Sequence, residues 1–95
     1  MGKETAVACG LDKIFSLEVA QALLNDRIAL YSEALGEQES KPFPDRDLIA
    51  ELERDQLTVA VEHSRLLSSG GAELAAVIRW HSVAMSCQRE RLSSL

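Results

Sequence analysis

The chain has 95 residues, which by length is one small domain. Apolar residues make up 46% and charged residues 26%, a globular composition that excludes a disordered or collagen-like chain. Fifteen acidic side chains against ten basic ones leave a formal net charge of −5, which argues against a nucleic-acid binder and its need for a basic face.

The apolar residues are mostly Leu and Ala, fourteen and twelve of them, and both are strong helix formers. No stretch alternates polar and apolar as a half-buried strand does. The reading is therefore all-α, a three-helix antiparallel bundle made of a long hairpin plus a third helix and completed by dimerisation. Residues 1–11 read as an N-terminal extension.

The first helix is expected over 12–36. Ser16 is placed to cap it, with Phe15 stapled onto Ala20. Leu17, Ala20, Leu24, Ile28, Tyr31 and Leu35 recur at spacings of three and four and form its core stripe. Gly36 stands where a left-handed C-cap ends a helix. The loop 37–44 holds both prolines, so helix cannot continue through it, and Phe43 between them is expected to tuck back onto the bundle.

The second helix is expected over 45–69, capped by Asp45, with a core stripe of Leu48, Ile49, Leu52, Val59, Ala60, Leu66 and Leu67. Gly70-Gly71 is the turn. The third helix is expected over 72–92, with Leu74, Val77, Ile78, Ala84, Met85 and Leu92 facing the core. Short connections make sequential helices antiparallel.

Two features exceed what a simple bundle needs. The first is a second apolar stripe on the third helix, Ala76, Trp80, Val83 and Cys87, at spacings of 4, 3 and 4 and well away from the core stripe. Leu57 and Val61 are its smaller counterpart on the second helix. An apolar face holding the only Trp marks an interface, either with a second copy or with another protein. The alternative is that Ala6–Leu11 or a skewed crossing covers it.

The second feature is polar residues inside the apolar stripes: Arg27, Gln56, His63, His81 and Gln88. A hairpin centred near residue 40 puts Arg27 level with Arg54–Gln56. One centred near residue 70 puts His81 level with Val59. Arg27, Gln56, His81 and Gln88 can then form one layer, with His63 a turn or two further on. A buried Arg needs a partner or an anion. Three readings stay open: a structural network with Arg27 paired to Glu53 or reaching solvent, a small carboxylate pocket, or a layer that fixes dimer register.

The segment Leu23-Leu24-Asn25-Asp26-Arg27-Ile28 resembles the part of the first helix of all-helical chorismate mutases that carries an essential arginine, and Gln88 is similar to their late glutamine. The resemblance implies a three-helix chain that works as an intertwined dimer. The chain departs from the family elsewhere. Gln38 stands where the family has a lysine, Leu48-Ile49 where it has an Arg-Glu pair, and Ala6–Leu11 holds no arginine. One arginine is a poor clamp for a dianion, so the likeness is architectural.

Other motifs are missing. There is no H-E-x-x-H, E-x-x-H, G-x-S-x-G or phosphate-binding loop, so neither metal nor cofactor is expected. Cys9 and Cys87 form no C-x-x-C and read as free thiols of a cytoplasmic chain with no membrane-spanning run. Residues 33–55 carry eight acids against Lys41, Arg46 and Arg54, so one end of the bundle is acidic. The expected function is a non-enzymatic helical interaction module, an adaptor, regulator or inhibitor. The alternative is an anionic-ligand binder, or a chorismate-mutase-like enzyme, built on Arg27.

Overall fold

The computed structural model describes the backbone from Gly2 to Leu95 and the side chains from Ile14 onward. Three helices follow one another: α1 over Gly2–Glu39, α2 over Arg46–Arg65 and α3 over Gly71–Ser93, with a 3-10 turn at Leu66–Ser68 between the last two. No strand occurs among the described residues. At about 1.5 Å per residue α1 is roughly 57 Å long, and the molecule measures 63 × 22 × 15 Å.

α1 is the spine. α2 runs back along it, and α3 returns parallel to it. The backbones of α2 and α3 both pack on α1 and hardly approach each other. The core is the seam along α1, where Ala20, Leu24, Tyr31, Ala34 and Leu35 meet Leu52, Val59, Leu66 and Leu74. Leu17, Ile28, Leu48, Ile49, Val77, Ile78 and Leu92 pack half-buried around it. The periodicity-derived stripes therefore face the core on all three helices, with one exception. Leu67 sits in the 3-10 turn, where the tighter winding rotates it outward, and it is exposed.

The helix ends differ from expectation. α1 continues back to Gly2, so residues 2–11 belong to the helix and Ser16 caps nothing. No proline interrupts that stretch, and a helix once nucleated extends through it. Phe15 is exposed and forms no staple. At the other end Gly36 is an ordinary helical residue without positive φ. The helix stops three residues later, at Glu39, because Pro42 disfavours helical geometry at Lys41 before it. Ser40 and Lys41 close the end by donating their N–H groups to the carbonyls of Gly36 and Gln38, at 3.1 and 3.2 Å. Phe43 does not tuck back; it is 94% exposed.

Asp45 caps α2 as its sequence position requires, its Oδ1 accepting from the Leu48 N–H at 3.1 Å. α2 ends at Arg65 rather than 69. The turn needs no left-handed glycine. Ser69 and Gly70 are extended, with φ, ψ of −81°, 142° and −78°, 170°. That extended pair reverses the chain into α3, which begins one residue earlier and ends one later than the periodicity predicts.

Candidate functional site

Arg27 projects from the middle of α1 into the space between α2 and α3. It is 8% exposed. Its Nε donates to Gln88 Oε1 at 2.7 Å, one terminal nitrogen faces His81 Nδ1 at 2.5 Å, and the other reaches the Tyr31 hydroxyl at 3.4 Å. Gln88 also donates its amide to the Arg27 carbonyl at 3.0 Å, which locks α3 to α1 at this level. His81 bonds Glu62 of α2 through Nε2. One polar chain thus links all three helices.

Chemistry fixes the state of that chain. A guanidinium only donates, so His81 Nδ1 accepts and its proton sits on Nε2, directed at the Glu62 carboxylate. The imidazole is neutral in this arrangement. The three groups that touch the Arg27 guanidinium are therefore all uncharged. Its positive charge has no carboxylate in contact, and Glu53 is exposed and makes no ion pair with it.

Two open cavities flank the guanidinium. One, of about 280 Å³, lies among Asp55, Thr58, Glu62, Trp80 and His81. The other, of about 240 Å³, lies among Cys87, Gln88 and Arg91. Arg27, Tyr31 and Ala84 line both, so they are compartments of a single cleft between α2 and α3 with α1 as its floor. Arg91 bridges the cleft at one end, to Asp55 at 3.0 Å and Glu51 at 2.9 Å. The hydrogen bond that Arg91 donates to Asp55 is the main reason its guanidinium pKa lies above the ordinary value.

The structure brings together Arg27, His81 and Gln88 as the stripe pattern predicts. It does not bring in Gln56 or His63. Gln56 lies at the same level but on the other flank of α1, donating to the Ile28 carbonyl at 3.2 Å and to Ser32 Oγ at 2.6 Å. His63 is half-buried further along α2, and its buried Nε2 has no partner. Tyr31 and Glu62 complete the chain and were not apparent from the sequence. Tyr31 reads as a core aromatic, and Glu62 as one more acid on a solvated face. The register itself was the available signal, since Glu62 lies one helical turn from Val59, the residue that a hairpin centred near residue 70 sets level with His81.

At the positions where the resemblance called for a lysine and an Arg-Glu pair, Gln38 is buried and Leu48 and Ile49 pack half-buried against the core. Arg27 and Arg91 are the cations of the cleft among the described residues. No group of three His, Cys, Asp or Glu is placed to hold a metal among them, and none of their helices is long and apolar enough to cross a membrane.

The apolar stripe of α3 lies on its outer face along the rim of the cleft, which Trp80 and Cys87 also line. Trp80 is 71% and Val83 66% exposed, and Ala76 and Cys87 are exposed beside them. Leu57 and Val61 of α2 are exposed as well. No skewed crossing covers this face, and any cover from Ala6–Leu11 falls on side chains outside the described residues. No protein family, curated protein or solved structure matches the chain.

Proposed function

We propose that this chain is a helical protein-interaction module that works through the outer face of α3. One observation carries the reading. The only Trp of the chain stands on a helix face that points away from the core, in line with three other apolar residues. Exposed large apolar side chains grouped on one face mark interaction surfaces, and Trp is the residue most enriched at their energetic centres. Trp80→Glu is expected to keep the helical circular-dichroism signal and to lose association. If it unfolds instead, Trp80 is core and the reading fails.

A second reading rests on Arg27. A buried guanidinium whose direct contacts are an amide, an imidazole and a phenol, opening on a cleft, can hold a small anion, with Asp55 and Glu62 on the same cleft opposing it. A small carboxylate or phosphate seated in the cleft supplies the missing charge. Malonate, succinate and inorganic phosphate at millimolar concentration are then expected to raise the melting temperature, and Arg27→Ala to remove the effect. No shift with any of the three contradicts this reading.

A further inference from the structure

We infer that the cleft between α2 and α3 takes a small zwitterion of the amino-acid class, with its carboxylate on Arg27 and its ammonium on Glu62. The inference rests on the Arg27 reading above and names the ligand class of that site.

The balance of charge in the cleft leads to this class. Four charged residues line it: Arg27, Asp55, Glu62 and Arg91. Asp55 and Arg91 neutralise each other at 3.0 Å. Arg27 and Glu62 instead bond the same neutral ring, Arg27 donating to His81 Nδ1 and His81 Nε2 donating to Glu62. A single imidazole thus holds two opposite charges apart, and neither touches an opposite charge among the described residues. Both keep bonding capacity. A guanidinium carries more N–H donors than the three contacts of Arg27 use. Glu62 accepts through Oε2, and its Oε1 has no partner among the described residues.

A bare anion in this cleft gains from Arg27 and is repelled by Glu62, and a bare amine meets the reverse. A molecule carrying both groups gains from each. It also brings no net charge to a cleft whose two cations and two anions already cancel. His81, only 2% exposed, fixes the spacing between the anchors. They stand one ring and two hydrogen bonds apart, a span that a short amino acid reaches. Trp80 and Tyr31 line the same compartment of about 280 Å³, and an aromatic face accepts an ammonium group.

The test is Trp fluorescence and thermal melting of the full chain with glycine and β-alanine. Each is set beside its matched carboxylate, acetate or propanoate, and its matched amine, methylamine or ethylamine, at equal ionic strength. Trp80 is the only Trp and lines the cleft, so its emission reads binding independently of stability. At least one amino acid is expected to saturate the signal and to raise the melting temperature beyond both of its matched compounds. Glu62→Gln keeps an acceptor for His81. It is expected to weaken that amino acid about tenfold, the effect of one lost charge-assisted bond, and to leave the carboxylate as tight or tighter. Arg27→Met is expected to abolish both responses. A carboxylate or phosphate response that no amino acid exceeds, abolished by Arg27→Met, overturns the zwitterion and leaves the anion reading standing. A preference for the amino acid that survives Glu62→Gln overturns it as well. No response to amino acids, carboxylates or phosphate, or one that survives Arg27→Met, overturns the inference and the anion reading together.

Discussion

Replacing Arg27 by Met separates a residue kept for stability from one kept for its charge. The guanidinium is 8% exposed, and its partners are a neutral amide, a neutral imidazole and a phenol. Burying a charge without a counter-ion costs several kcal/mol, and hydrogen bonds from a charged donor return about 1.5–3 kcal/mol each. The Tyr31 contact, at 3.4 Å, is at the weak end of that range. Gains and costs at Arg27 are therefore nearly balanced. Met fills most of the volume of the stem. Gln88 keeps its bond to the backbone carbonyl of residue 27, and His81 keeps Glu62. The three acceptors left without a donor border an open cleft, where water replaces the lost N–H groups. Arg27→Met should then change stability by no more than about 1 kcal/mol in either direction, as replaced buried charges often do. Urea denaturation followed by circular dichroism reads this as a midpoint shift at constant slope. A loss of about 3 kcal/mol or more would show that the layer is a structural network, and the anion reading would lose its basis.

Other sites give sharper stability effects. Leu52 is fully buried at the α1–α2 seam, so Leu52→Ala should cost about 2–5 kcal/mol, enough to unfold much of so small a domain, as thermal melting will show. Asp45→Ala removes the α2 cap and should lower the urea midpoint by the equivalent of about 0.5–2 kcal/mol. Arg91 holds its pair of acids in a partly exposed setting, so Arg91→Gln should cost no more than about 1 kcal/mol, less in high salt. Because the pKa of Arg91 is raised above its already strongly alkaline ordinary value, its contribution is complete throughout the neutral and mildly alkaline range and is lost only above that value. Titration of Arg91 itself should therefore add no slope to stability between pH 6 and pH 9, roughly the range flanking neutrality.

The sequence carries the helical class, the core stripes and the hairpin registers because all three follow from local spacing. Leu24, Leu52 and Leu74 are buried because they sit at the centre of their stripes. The register places Gln56 beside Ile28 because the loop length fixes it to within a residue or two. Where an end is set by competing signals, the strongest one prevails. Gly36 permits a stop but does not impose one, whereas Pro42 imposes it. Ser16 can cap a helix only where one begins, and α1 begins fourteen residues earlier, at Gly2. The cleft was not legible. Whether α2 and α3 close on each other depends on the angle at which each meets α1, and one-dimensional spacing does not encode it. For the same reason Gln56 and Arg27 share a level but not a site, being on opposite flanks of α1.

The central claim is that the outer face of α3 is an interface. The most direct measurement is absolute mass in solution by light scattering across a dilution series, for the wild-type chain and for Trp80→Glu at matched helicity. The account predicts a wild-type mass that falls on dilution from twice 10.4 kDa toward the single chain, and a Trp80→Glu chain that is monomeric throughout. A dimer equally stable in both proteins, or a wild-type monomer at the highest concentration, would contradict self-association through Trp80.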